Sequence, residues 1–433
     1  MKKLLIISPH FPPVNAADMQ RIRQSLPFFE RMGWRATVVA VDPNYIEMAQ
    51  DEILLKTIPN NVEVHHVKAF SVKKTRKFGL GNLGLRSLWF YYRWGKQNLK
   101  KERFDLVYFS TTTFSVIIMG RIWKKKYGIP FVVDMQDPWR NDYYLKFKPA
   151  ERPKKFWFDH SLNKILEAYT MPLADGLIAV APGYIETLRK RYPSLLQVPG
   201  LTLTFGVSDI DFKVLESVNI PNRYFKKGDN INVVYVGVTP PPMFYTIRAL
   251  FKAVGDNRMK QDIFKRIRFY FLGTSYAPRN LAVKTVSPLA TEFGIEDMVY
   301  EEVVRLPYFE TLTIIKEADF AIIPGTQDAD YTASKLFPYI LAQINILAIF
   351  HKNSSVPKII DSLSAGDYIT FSDESVEELS VKITSKLIEI LNKLPCHPNT
   401  NWDNFYQYKA DFKTREQVNL FEQVLAKHQI TGQ

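Results

Sequence analysis

The sequence predicts an α/β protein built from two doubly wound, parallel-sheet domains. Short continuous apolar runs rich in β-branched residues recur along the chain, as strands buried on both faces require. Helix-period segments alternate with those runs, which is the rhythm of βαβ units. At 433 residues the chain also exceeds one ordinary core, so two domains of about 200 residues each are expected.

The first run, residues 3–8, reads as a buried strand and leads into a rigid loop that carries His10, Pro13 and Asn15. A helix follows, with Asp18 as its cap, Arg21 within it and Gly33 as its stop. Residues 34–42 complete a βαβ unit, and in open parallel sheets the loops at the strands' C-terminal ends face the ligand crevice. Further strands are expected at 62–67, 104–109, 130–134 and 175–181, with helical stretches such as 163–170 and 184–191. The first domain is expected to cover 1–208, and the polar stretch 209–230 reads as a linker. The rhythm restarts with strands at 231–236, 268–272, 298–303, 318–323, 346–350 and 368–371, giving a second domain over 209–410. A last helix, 411–427, lies in the terminal segment 411–433.

Hydrophobic residues at 46% and charged ones at 23% exclude a disordered chain. The single cysteine, Cys396, excludes an internal disulfide and fits a reducing compartment. After Lys2 and Lys3 only four apolar residues precede Ser8-Pro9, too few for a signal peptide, and no run approaches a membrane span. A cytoplasmic protein is expected, or one peripheral on the inner face of the plasma membrane. Charge is placed unevenly: residues 1–200 hold 32 Lys and Arg against 17 Asp and Glu, whereas the rest hold 25 against 27. That surplus of 15 points to an anionic partner for the first half.

The densest chemistry lies between the strands at 318–323 and 346–350. A polar loop there runs through Asp330, Tyr331, Thr332, Ala333, Ser334 and Lys335 into a helix-like run containing Tyr339. Free N–H groups and a lysine at a helix start make an anion site, read here as a pyrophosphate cradle. The competing reading is a capped helix with a solvated lysine. Gly237, followed by Thr239, and Gly273 each end a strand where backbone can approach a ligand closely; plain turns fit them equally.

Past the strand at 130–134 come Asp134, Gln136, Asp137, Trp139, Asp142 and Tyr143, carboxylates and aromatics suited to sugar hydroxyls and rings. Asp137 is the candidate general base, and Asp142 a second hydroxyl-positioning carboxylate. Ser110 and Thr111 end the preceding strand and either face the same crevice or cap a helix. Gly79, Gly81 and Gly84 match G-x-G-x-x-G, but a basic run precedes them instead of a strand, so a loop is expected. From Lys68 to Arg103 there are eleven basic residues and one acidic one, interleaved with Trp89, Tyr91, Tyr92 and Trp94. This stretch suits an anionic membrane surface or, alternatively, a core helix with a basic flank; nucleic-acid binding is not expected. No zinc-type spacing occurs, no metal is expected, and the seven histidines, His10 included, read as structural.

Ile6-Ile-Ser-Pro-His-Phe-Pro-Pro13 with Arg21, Val133-Asp-Met-Gln-Asp-Pro-Trp139 and Tyr331-Thr-Ala-Ser-Lys-Leu-Phe-Pro-Tyr339 resemble the family 4 glycosyltransferases of GT-B fold that assemble bacterial glycans. The resemblance implies two Rossmann-like domains facing each other across a cleft, with the C-terminal helix crossing back to the first. It implies a nucleotide-diphosphate sugar of UDP or GDP type as donor, no further cofactor, and a glycan or lipid-linked acceptor. Diphosphate would lie at Ser334 and Lys335, with Lys335, Asp137 and Asp142 as catalytic residues. Gly237, Thr239, Gly273, residues 330–335 and Tyr339 would hold the donor. Pro13, Asn15, Arg21, Ser110, Thr111, Gln136, Trp139 and Tyr143 would face the acceptor. The family's E-x7-E pair falls on Asp330 and Pro338, and its basic residue after the first strand of the second domain is absent. The expected activity is retaining, metal-independent glycosyl transfer. The alternatives are a nucleotide-sugar epimerase of the same fold or a basic membrane-binding protein that has lost its sugar site.

Overall fold

The computed structural model describes residues 1–153, 155–275, 277, 280–328 and 334–431. Two compact units emerge: residues 1–208 together with 408–433, and residues 209–407.

The first unit is built on seven parallel strands: β1 (Lys2–Ile7), β2 (Trp34–Val41), β3 (Glu63–Val67), β4 (Leu106–Ser110), β5 (Phe131–Met135), β6 (Gly176–Ala179) and β7 (Gly200–Thr202). Their order is β3-β2-β1-β4-β5-β6-β7. The second unit has six: β8 (Ile231–Val236), β9 (Ile267–Leu272), β10 (Val299–Glu302), β11 (Phe320–Pro324), β12 (Ile346–His351) and β13 (Asp367–Phe371), in the order β10-β9-β8-β11-β12-β13. In each sheet the order reverses once, between β1 and β4 and between β8 and β11. Loops diverge there, opening a crevice at the carboxyl ends of the strands.

The strands form where the apolar runs lie because Leu4–Ile7 and Ile346–Phe350 are buried on both faces. Helix Gln20–Phe29 turns Ile22, Leu26 and Phe29 inward at i, i+4 and i+7. It stops at Gly33, whose φ of +85° suits the left-handed cap. The C-terminal helix Ala410–Thr431 lies in the first unit against Gln20–Phe29. Its Phe421 ring meets Tyr108 at 5.1 Å, Trp34 at 5.6 Å and Phe29 at 6.3 Å. In the second unit, helix Val376–Lys393 packs on Phe244–Asn257 through Leu379, Ile383 and Leu387, and Ser375 with Glu378 closes a capping box at its start.

Four expectations need correction. Residues 209–230 do not form an irregular linker throughout, because Asp209–Ser217 is a helix whose Asp211 accepts from the Tyr308 hydroxyl at 2.8 Å. Asp18 does not cap its helix: the helix starts at Gln20, and the Asp18 carboxylate is claimed by His10 and two threonines. The glycine-rich stretch is not all loop, since Gly84 lies inside helix Leu83–Asn98, capped by Asn82. The strand expected at 175–181 ends at Ala179, where Pro182 opens a helix, the one interior position at which a missing N–H costs nothing.

Candidate active site

Lys335 immediately precedes the six-residue helix Leu336–Leu341, whose Leu336, Phe337, Tyr339 and Ile340 are buried. That burial fixes the lysine's backbone and aims its chain at the end of β8. The ammonium donates to the Tyr235 hydroxyl at 2.8 Å and lies 4.7 Å over the Tyr235 ring. Gly237 makes this approach feasible: its φ is +137°, and a Cβ there would stand 2.1 Å from Lys335 Nζ. Burial, and then the Arg305 cation, push the Lys335 pKa down to about 7. Two cations thus converge at the β8 edge, and the Tyr235 hydroxyl is the hydrogen-bond partner of the Lys335 ammonium among the described residues.

The other donor-side positions divide. Gly273 has φ +75°, and a Cβ added there would stand 3.6 Å from Arg305 Cα. Thr239 is buried and its N–H donates to the Thr274 carbonyl at 3.2 Å, so it braces the loop. Tyr339 requires correction as a ligand contact, because it is buried and its hydroxyl accepts from Val236 N–H at 2.8 Å. It holds the β8 end in place. Ser334 is exposed, while Asp330, Tyr331, Thr332 and Ala333 lie outside the described residues.

In the first unit, the β1 and β4 ends meet in a buried polar network. Arg21 Nε pairs with Asp134 Oδ2 at 2.8 Å, and its Nη2 donates to the Leu203 carbonyl at 2.7 Å. Ser110 donates to Asp134 at 2.7 Å, and Gln136 Nε2 donates to Ser110 at 3.0 Å and to the Asp18 carbonyl at 2.9 Å. Thr111 Oγ1 reaches Asp18 at 3.0 Å. The structure therefore brings Arg21, Ser110, Thr111 and Gln136 together, but as a scaffold whose polar atoms bind one another. Asn15 is likewise buried, whereas Pro13 is partly exposed and accepts from Asp51 N–H at 2.7 Å.

Asp137 is the exposed carboxylate at this edge. Partial burial, and then the Asp18 carboxylate, raise its pKa; Asp137 in turn adds to burial in raising the Tyr184 phenol. The sequence reading set His10 aside, yet its Nδ1 lies 3.0 Å from Asp18 Oδ1. Burial pushes the Asp18 carboxyl up, but His10 and the Thr112 and Thr111 donors outweigh it and hold the pKa low.

Two acceptor-side expectations need correction. Trp139 is buried, stacked on Phe114 at 5.9 Å and bonded to Asn163 at 3.2 Å, so it shows no face to a ligand. Asp142 is engaged by Arg140 at 2.9 Å, His160 at 2.8 Å and Arg191 at 2.6 Å, which hold its pKa low against partial burial. Tyr143 opens a 3-10 turn, and its side chain lies outside what is described. Among the described residues, no group of three or more His, Cys, Asp and Glu is placed to hold a metal ion.

Residues 22–197 match the sequence profile of Glycosyltransferase Family 4. No curated protein matches the chain in sequence. Sucrose-phosphate synthase from Thermosynechococcus elongatus superposes with a TM-score of 0.58 at 12% identity, covering 99% of this chain and 100% of that one. Anabaena HepE in complex with UDP-glucose gives 0.54 at 13% identity, covering 99% of each chain. WaaG, a glycosyltransferase involved in lipopolysaccharide biosynthesis, gives 0.53 at 14%, again covering 99% of each. At such identities the likeness is one of fold, and the family match lies in the first unit. Together they show a GT-B fold whose first unit is similar to Glycosyltransferase Family 4 over residues 22–197.

Proposed function

We propose that the chain moves a sugar from a nucleotide-diphosphate donor, UDP-linked in the first instance, to a hydroxyl of a glycan or lipid-linked acceptor. The observation that carries this reading is the desolvated Lys335 ammonium, pressed against Gly237 at the β8 edge with Arg305 close by. A diphosphate is the kind of anion a desolvated ammonium attracts, and a charge-assisted bond of this kind contributes about 1.5–3 kcal/mol. Developing charge on the leaving group would be stabilised by the same two cations, usually the largest catalytic effect. That HepE was captured with UDP and UDP-glucose supports uridine as the nucleotide.

Asp137, exposed just past the carboxyl end of β5, would position the acceptor, and Asp142 serves to fix the loop that carries it. The reading includes a retaining, metal-independent reaction, checked by the anomeric configuration of the product and by activity in chelator. Calorimetric titration with UDP, GDP and UDP-sugars tests the donor site. Lys335→Ala is expected to weaken UDP binding by about tenfold to a hundredfold with a melting temperature at neutral pH no lower than that of the intact protein, since the desolvation cost of the lysine is removed. Equal affinity in the variant overturns the assignment.

A further inference from the structure

Three helices of the first unit pack side by side: Leu83–Asn98, Ile118–Tyr127 and Phe156–Thr170. The third is amphipathic the wrong way round. Phe158, Leu162, Ile165 and Tyr169 recur at the spacing of a core-facing stripe. Yet Phe158, Ile165 and Tyr169 are 53, 64 and 45% exposed, and Trp157 beside them is 57% exposed. The helix turns Glu167 inward instead, where it accepts from Arg191, Tyr192 and the Arg140 N–H. An outward apolar stripe of this size marks a docking surface.

The charge around the stripe says what docks. Arg152 lies 5.0 Å over the Trp157 ring, and Arg121 lies 4.2 Å over Tyr169. On the neighbouring helices Lys126 lies 5.8 Å over Tyr92, and Arg93 lies 5.5 Å over Trp89; both rings are exposed. The short helical turns Val72–Thr75 and Arg76–Phe78, which carry Lys73, Lys74 and Lys77, reach the same end, since a Cβ on Gly79 would stand 3.8 Å from Lys155 Nζ. Glu151 and Asp159 are the acidic side chains exposed in this stretch. Aromatics interleaved with cations across a helical face match the boundary of an anionic bilayer, with rings at the headgroup level and cations on lipid phosphates. A second copy of the chain would bring the same cations against these, which opposes self-association.

We propose that this three-helix face docks on an anionic lipid surface, with Trp157, Phe158, Ile165 and Tyr169 seated at the headgroup boundary. The inner side of the third helix holds Asp142 through His160, at 2.8 Å, and Trp139 through Asn163, at 3.2 Å, and so anchors the loop that presents Asp137. Docking here sets the acceptor edge of the first unit beside the bilayer. On the transferase reading, it narrows the acceptor to a hydroxyl carried by a membrane lipid.

Co-sedimentation of the full chain with vesicles tests the docking, using phosphatidylcholine alone and phosphatidylcholine mixed equally with phosphatidylglycerol. Binding is expected to the mixed vesicles only and to weaken as salt rises. Trp157→Ser with Ile165→Ser should weaken it about tenfold or more, and Lys73→Glu with Lys74→Glu about fivefold per residue. UDP titration should be unchanged in every variant. Wild-type protein that ignores anionic vesicles overturns the docking, and so does a Trp157→Ser, Ile165→Ser variant that binds them normally. A dimer seen by sedimentation velocity and lost in that variant, without vesicle binding, assigns the face to self-association and also overturns it. Vesicle binding without UDP binding upholds the docking and removes only the lipid-acceptor clause.

Discussion

At the scale of single residues, Gly237 and Lys335 make one device, and each is tested through the other. Gly237→Ala would force a Cβ to within 2.1 Å of the Lys335 ammonium and strain a backbone at φ +137°. UDP affinity should fall as far as in Lys335→Ala, with a stability loss of about 1 kcal/mol or more; titration and urea unfolding check the two parts. The lysine also predicts a pH dependence. Its pKa is depressed from 10.5 to about 7, so between those values the unfolded chain binds more protons than the native one. Native stability therefore rises with pH across that window and is lowest below it. Bound diphosphate favours the charged form, so UDP affinity should fall above pH 7, by at most tenfold per unit. Proton uptake on binding at pH 8, read from titrations in buffers of differing ionisation enthalpy, checks the sign, and Lys335→Met should abolish it. Lys335 was legible in the sequence because a hydroxyl-rich stretch and a lysine follow a clear strand. Arg305 was not, since Val303-Val304-Arg305-Leu306-Pro307 carries no turn or phosphate signal. Asp18 was misread because an acidic residue before a helix is the ordinary mark of a cap, while the partners that claim it include His10 and Thr111, the latter 93 residues away.

At the scale of elements, the loops after β8 and β9 are held by a carboxylate that the sequence does not single out. Glu301 of β10 is buried and accepts from the N–H groups of Thr285, Val286 and Ser287 at 2.9, 3.1 and 2.7 Å. It also accepts from the Thr274 hydroxyl at 2.8 Å, beside Gly273. With the Ser287 hydroxyl at 2.9 Å, three amides and two hydroxyls meet one side chain at the start of helix Ser287–Glu292. Glu301→Ala would strand those donors, at a cost of about 3 kcal/mol or more, visible as a lower urea midpoint. Glu301→Gln keeps one acceptor oxygen and should fall between. The strands around this junction were readable because continuous apolar runs admit little else. The helix Asp209–Ser217 was not: it is short, polar on most sides and buries only Asp211 and Leu215, too little periodicity to separate it from a linker.

At the scale of the whole molecule, the division into two units was legible from the restart of the βα rhythm at Ile231, but the dependence of the first unit on the chain's end was not written in any local pattern. Residues 209–407 are contiguous and enclose their own core. The first unit is discontinuous, because Phe421 fills the space between Phe29, Trp34 and Tyr108, and Gln417 donates to Ser25 at 2.9 Å. Glu422 completes the seam by accepting from Trp34 Nε1 at 3.0 Å and pairing with Lys2. Losing one such buried aromatic costs about 3–5 kcal/mol, a large share of the roughly 5–15 kcal/mol that holds a protein folded. Losing the whole helix removes Val418, Leu420 and Val424 from the same core as well. A chain ending at residue 407 is therefore expected to keep a folded second unit and lose the first, whereas residues 209–407 alone should melt cooperatively and still bind UDP through Lys335. Circular dichroism melting and UDP titration of both truncations decide it: a 209–407 fragment that is unfolded, or a 1–407 chain that melts like the intact protein, would show that the two units do not draw their stability from the segments assigned to them.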